Sequence, residues 1–363
     1  MIDFEPTEEQ QMLATAVHRF ADERLRKYFR DAEEDQKVPA EVVQAGWEIG
    51  LLPTSIPEEY GGFGEQSAVT AAIAIEEFAW GDLALALHIL QPGLTAVPIM
   101  LQGSEAQKEA YLPRYCDERP PQLTAALTEM RIQYDPRQLQ TTAVRENGHY
   151  KVSGVKTMVP AADSAEEILV YANEDGRTQA FFVPRNTEGL TIGEREPFMG
   201  VRALPMYEVK LDNCAIPAEN KLGGEQGVNF DLILNHSRVA LGAAAVGVAR
   251  AAFEYARDYA KQRVQFGEPI AHRQSIAFML ADMAIDVEAA RLMVWEAAWL
   301  LDQGKEATRE VVVMKHYVDD AVLQVADRAV QVLGGYGYIR EYPVELWLRN
   351  ARGFAHFDGL AIC

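Results

Sequence analysis

The sequence predicts an α+β protein in three consecutive parts: a helical domain at residues 1–121, a β-sheet domain at 122–224 and a four-helix-type bundle at 225–363. Three observations carry this reading. Helical spacing dominates the first third, the texture turns β-rich after Pro120-Pro121, and two long helices with apolar stripes follow Val228. A length of 363 residues also exceeds what one compact core usually holds.

In the first part, Thr7 followed by Gln10 has the capping-box form that opens a helix, continuing through QMLATAVHRFADERLRKYF. Pro53, Pro57 and the Gly61-Gly62 pair break it, and SAVTAAIAIEEFAW and SEAQKEAYLPRYC resume helical spacing. In the second part, GHYKVSGVKTMV, EEILVYANEDGRTQAFFVP and YEVKLDNCAIP read as strands of a small antiparallel sheet. Asp175-Gly176 separates two of these runs as a hairpin turn, and Tyr207, Val209 and Leu211 alternate with other residues at a period of two. In the third part, Leu280, Met283, Val287, Ala290, Val294, Ala297 and Leu301 recur at spacings of three and four, forming one apolar stripe. A second long helix, EVVVMKHYVDDAVLQVADRAVQVL, runs into Gly334-Gly335, a natural stop.

Composition narrows the function. A formal charge of −20 argues against nucleic acid as a partner, because phosphate backbones call for clustered Lys and Arg. A phosphate-bearing ligand would have to rely on local arginines and backbone N–H groups. Cys116, Cys214 and Cys363 are too few and too scattered for a disulfide framework or a metal cage, so a reducing, cytoplasmic setting and no metal are expected. The opening MIDFEPTEEQQ lacks the pattern of a signal peptide. The most apolar long stretch, VALGAAAVGVARAAFEYA, is interrupted by Arg250 and reads as too short for a membrane span.

Several motifs resemble the acyl-CoA dehydrogenase family over nearly the whole chain. They are GLLPTSIPEEYGGFG, FMGVR before VKLDNCAIP, RVQFGEPIAHRQSIAFMLADM, and QVLGGYGYIREYPVELWLRNAR. The resemblance implies FAD as cofactor, an acyl-CoA substrate, an electron-transfer flavoprotein as electron acceptor, and a homo- or heterotetramer in which FAD crosses a subunit seam. It gives Arg263, Gln265, Phe266, Gln274, Gln331, Leu333, Gly334 and Gly335 to a partner's FAD, and Thr128 to this chain's own. Arg suits phosphate oxygens as a forked donor, and paired glycines allow close backbone approach.

Other positions depart from the family pattern. Where the family has T-E-P-x-A-G-S-D, this chain reads TEMRIQYD, so bulk stands at Arg131, Ile132, Gln133 and Tyr134. Met158-Val159-Pro160 replaces a W-I-T or W-I-S triplet and removes both an aromatic plate and a hydroxyl. Arg349-Asn350-Ala351-Arg352 leads to Phe357-Asp358-Gly359 at the family's separation, which places Asp358 where a catalytic Glu abstracts the substrate α-proton. Asp is one methylene shorter, and two readings stand side by side: active base, or polar remnant. Arg238, Phe357 and Tyr134 are implied on the substrate side. The chain also stops soon after Asp358-Gly359, which predicts a loosely held base. Three functions remain open at this point. They are acyl-CoA dehydrogenation, a catalytically degenerate partner subunit in a heteromeric dehydrogenase, and a nitroalkane-oxidase-like flavin oxidation.

Overall fold

The computed structural model describes residues 4–64 and 66–363; residues 1–3 of the N-terminal stretch considered above, and residue 65, lie outside the described residues. Helix α1 (Glu8–Phe20) opens on the expected capping box, with Gln10 N donating to the Thr7 hydroxyl at 3.2 Å and Thr7 N to the Gln10 side chain at 3.0 Å. A single π turn, Ala21–Leu25, joins it to α2 (Arg26–Asp35). After α3 (Ala40–Trp47), the prolines and glycines seen in the sequence produce two short 3₁₀ turns. Helices α4 (Ala68–Gly81) and α5 (Leu83–Leu90) are apolar on nearly every side and are correspondingly buried. Helices α6 (Gly93–Gln102) and α7 (Glu105–Tyr111) complete this part.

Seven strands follow: β1 (Leu123–Ala126), β2 (Thr142–Glu146), β3 (His149–Pro160), β4 (Glu167–Glu174), β5 (Arg177–Pro184), β6 (Leu190–Arg195) and β7 (Met206–Pro217). Their order is β1-β4-β2-β3-β7-β6, with β5 on β4. The β2–β3, β3–β7, β6–β7 and β4–β5 pairs are antiparallel, and Asp175-Gly176 forms the β4–β5 turn. β1 lies parallel to β4, and β2 meets it parallel at one position, Thr142 opposite Asn173. The long crossover through the β2–β3 hairpin allows the β1–β4 pairing, which a tight turn could not. Leu169 and Tyr171 of β4 face one core and Ile168 and Val170 another, so the sheet is covered on both faces. Two register shifts interrupt β3–β7, and the second, between Lys156 and Val159, bears on the site described below.

The bundle comprises α8 (Phe230–Gln262), α9 (Gln274–Asp302) and α10 (Thr308–Leu333), with the short α11 (Val344–Ala351) packed alongside. A small hairpin of β8 (Val264–Gln265) and β9 (Glu268–Pro269) links α8 to α9. The stripe on α9 is buried from Met283 to Leu301, while Leu280 is only partly covered. One reading needs correction. Helix α8 is 33 residues long and apolar enough by length and composition to cross a membrane, because helix extends well beyond the stretch read from the sequence. Its apolar window is 89% buried inside the protein, against α4, α9 and α10, which is how a core helix satisfies its side chains.

Candidate functional site

Two separate regions collect the side chains singled out in the sequence. The first is an open groove of about 870 Å³ formed by the end of α8, the β8–β9 hairpin, the start of α9 and the turn after α10. Arg263, Gln265, Phe266, Leu333, Gly334 and Gly335 all line it. Gly334 takes φ +60 and caps α10, donating its N–H to the Gln331 and Val330 carbonyls, so the turn demands a residue without Cβ. Arg263 holds no ion pair among the described residues, and its guanidinium lies 5.1 Å from the Tyr336 ring centroid. Phe266 is 93% exposed with φ +54, an aromatic held outward in a backbone conformation few side chains adopt. Two expected residues stand outside the lining. Gln274 is exposed at the first position of α9, between the lining residues Arg273 and Ser275, and Gln331 is exposed on the last turn of α10.

The second region is a cavity of about 420 Å³ between the sheet and the bundle. Thr128, Tyr134, Thr157, Met158, Met199 and Phe357 are among its walls. The bulky loop after β1 makes less obstruction than its composition suggests. Ile132 and Met130 turn outward into solvent, and Arg131 folds back to the Gln138 and Asp135 carbonyls. Tyr134 turns inward and is half-buried against Leu127. Burial, reinforced by Asp358 and Glu129, raises its phenol well above the ordinary value.

Asp358 and Arg238 do not line this cavity, although Phe357 and Thr128, which adjoin Asp358 in sequence and by hydrogen bond, do. Arg238 and Asp358 form a forked ion pair, Nη2 to Oδ2 at 2.8 Å and Nε to Oδ1 at 3.3 Å, with both side chains about one-eighth exposed. Burial pulls the Arg238 guanidinium down, but hydrogen bonding to Asp358 outweighs it and holds the group above its ordinary value. The Thr128 hydroxyl donates to the Asp358 carbonyl at 2.9 Å. Gly359 has φ +86, and a Cβ there would stand 2.9 Å from that of Leu127, so the glycine of the Asp-Gly pair is required by space as well as by backbone.

The expectation of a loosely held base is therefore overturned. Leu360 to Cys363 are buried in the cleft between α6, β1 and α8. The Ser237 hydroxyl donates to Ala361 O at 2.7 Å, and His236 Nδ1 meets Cys363 O. Burial lowers the His236 imidazole, and the Cys363 carbonyl opposes that. Ile362 and Cys363 also wall a small cavity of about 50 Å³ with Phe78, Leu90 and Gly93.

Sequence reasoning passed over a buried pair beneath the cavity. Lys156 is fully buried and donates to Leu127 O at 2.9 Å and to Glu129 at 3.0 Å. Glu129 also accepts the Gln140 and Thr141 N–H groups, both at 2.8 Å. Burial pushes Lys156 down to about 8, with Glu129 opposing. Burial pushes Glu129 up, but Lys156 and the two N–H donors outweigh it and leave the carboxyl below its usual range. A lysine on the strand and a glutamate beyond β1 are 27 residues apart. The available signal was only a charged residue in an otherwise apolar strand run.

Two features fit a flavin dinucleotide: an arginine without an ion pair among the described residues beside a glycine turn in an open groove, and a cavity within the ordinary size range of ligand pockets. Comparison with known proteins agrees with this geometry. The acyl-CoA dehydrogenase N-terminal, middle and C-terminal domain models match residues 7–119, 124–214 and 230–361. An acyl-CoA dehydrogenase of Bacillus subtilis is 37% identical, covering 97% of this chain and 95% of that protein. The structure of butyryl-CoA dehydrogenase from Megasphaera elsdenii superposes with a TM-score of 0.89 at 31% identity, covering 99% and 96% of the two chains. A glutaryl-CoA dehydrogenase of Mycobacterium smegmatis in complex with FADH2 gives 0.88 at 25% identity, over 98% and 92%. The chain belongs to the acyl-CoA dehydrogenase family.

Proposed function

We propose that the chain is an FAD-dependent acyl-CoA dehydrogenase that removes the α and β hydrogens of an acyl thioester, with Asp358 taking the α-proton. The observation that carries this reading is the forked Arg238–Asp358 pair, tied by the Thr128 hydroxyl to the rim of a 420 Å³ cavity. Bound FAD supplies the acceptor for the β-hydride. The protein's own part is orientation. Arg238 aims both Asp358 oxygens, and a thioester reaches them by sharing the carboxylate with the guanidinium. Thr128 fixes the backbone from which the carboxylate projects. A positioned carboxylate of this kind contributes roughly 10²- to 10⁴-fold to a proton transfer. Thr128 and Met158 would flank the flavin ring, while Arg263, Gln265, Phe266 and the Gly334-Gly335 turn would hold the diphosphate end of a neighbour's FAD. Such an exchange requires at least a dimer. An electron-transfer flavoprotein is the proposed acceptor, and the cytoplasm the proposed location.

The visible spectrum of purified protein, with its flavin-to-chain ratio, tests this directly. One flavin per chain, bleached by an acyl-CoA under anaerobic conditions, is expected. A second reading rests on the same ion pair. With both Asp358 oxygens engaged by Arg238 and the adjoining cleft filled by Leu360 to Cys363, the chain could serve as a partner that lends its groove to a catalytic relative. A colourless protein that gains flavin only with a co-expressed relative would decide for that alternative.

A further inference from the structure

Glu196 follows β6 and stands apart from every residue given a role so far, yet its carboxylate is wholly directed at β3. Oε2 accepts the Met158 N–H at 2.7 Å, and Oε1 accepts the Thr157 hydroxyl. Glu196 N in turn donates to Met206 O at 2.9 Å, which anchors it to β7. Both donors lie in the bulge where the β3–β7 register slips between Lys156 and Val159. A bulge removes ladder partners from the strand that carries it, and Met158 there has φ +57, uncommon for a residue with a side chain. A carboxylate is a strong acceptor for such stranded donors.

The clamp continues toward the site. Thr157 N donates to Thr128 O at 3.0 Å, and the Thr128 hydroxyl donates to Asp358 O at 2.9 Å. A continuous series therefore runs from Glu196 through the bulge and the end of β1 to the backbone of Asp358. Thr157, Met158 and Thr128 all face the 420 Å³ cavity along the way.

We propose that Glu196 is a positioning residue, which sets the reach of Asp358 by holding the Thr157-Met158 bulge against Thr128. This inference rests on the reading of Asp358 as the base. An aspartate has one methylene less than a glutamate with which to find the substrate, so its backbone position counts for more. A displacement near 1 Å costs on the order of 100-fold in rate.

The test uses the FAD-loaded protein and the variants Glu196→Gln, Thr157→Val, Thr128→Val and the double variant Glu196→Gln/Thr128→Val. Flavin reduction by saturating acyl-CoA is expected to slow roughly 10- to 100-fold in Glu196→Gln, with half-saturation moved less than about 3-fold and flavin content unchanged. The double variant is expected to be no slower than the slower single one by more than about 3-fold, because both changes break one series. Independently of turnover, backbone amides of residues 353–360 are expected to exchange faster with deuterium in Glu196→Gln and Thr128→Val, and not additively. Unchanged exchange at 353–360 in both variants overturns the proposal. So do multiplicative effects in the double variant. If Glu196→Gln does not fold, Thr157→Val removes one arm of the clamp and carries the same readouts. If the wild type is reduced by no acyl thioester, the dehydrogenase reading fails on its own, and the exchange measurement still decides the positioning role.

Discussion

The groove at Arg263 and the cavity beside Asp358 differ in how their central arginines are partnered. In the groove, Arg273 pairs with Glu268, but Arg263 has no carboxylate partner among the described residues, Gly334 and Gly335 have no neighbour where a Cβ would stand, and Phe266 projects into solvent. Around the cavity, the charged groups of the Arg238–Asp358 and Lys156–Glu129 pairs answer one another within the chain. The Arg349–Glu33 pair near its edge does the same. Open donors in a chain of net charge −20 are affinity held for something external, such as a dinucleotide's phosphates. Closed pairs fix geometry and give up none of their capacity until a ligand competes. The groove is a place to bind, and the cavity is a place to orient.

The contrast yields predictions of decreasing size. Asp358→Asn keeps the shape and removes the proposed base, so acyl-CoA-dependent flavin reduction should fall about 10²- to 10⁴-fold, as read by anaerobic stopped-flow. A loss of only a few-fold would remove Asp358 from the reaction. Lys156→Met removes the nearer cation from the buried Glu129 carboxylate and leaves only Arg131 at 3.8 Å, and a denaturant titration should show about 3 kcal/mol less stability. Arg263→Met, in contrast, should lower the melting temperature of the flavin-free protein little, because it breaks no ion pair and loses only the contact with the Tyr336 ring.

The pH dependence sharpens the difference further. Lys156 is held near 8 in the folded protein against 10.5 in the unfolded chain, so between those values the unfolded state binds more protons and stability rises with pH. Wild type should gain on Lys156→Met by about 2 kcal/mol between pH 8 and 10, and parallel curves would contradict the burial argument. The smallest effect concerns affinity. Arg263→Met should weaken FAD binding about 10- to 100-fold, the worth of a charge-assisted hydrogen bond or two, measured by flavin fluorescence.

Much of the architecture was readable from local patterns. The capping box at Thr7, the α9 stripe and the Asp175-Gly176 turn depend on residues within a few positions of one another, where periodicity and turn chemistry act directly. The groove was equally readable, since its parts come from two contiguous motifs. The cavity was read only in outline. Bulk at Arg131 and Ile132 suggested obstruction, yet Ile132 turns out into water and Arg131 folds back onto the carbonyls of its own loop, because a loop resolves crowding by moving whichever residues find water or a backbone acceptor. The apolar stretch within α8 was read as too short to span a membrane, whereas the helix around it runs for 33 residues and passes that test by length and composition, its apolar window buried in the core.

By itself the sequence determined the α+β order of parts, the acidic surface, the glycine turns and the Asp-Gly pair near residue 358. These are written in spacing and residue type, and they survive any arrangement of the parts. Only the tertiary structure decided that Arg238 grips Asp358 across 120 residues, that Lys156 lies under Thr128 and Leu127, and that Glu196 clamps a strand bulge. A charged side chain does not announce its partner, because what selects it is the desolvation that burial imposes, and burial exists only once the sheet and the bundle have closed on each other.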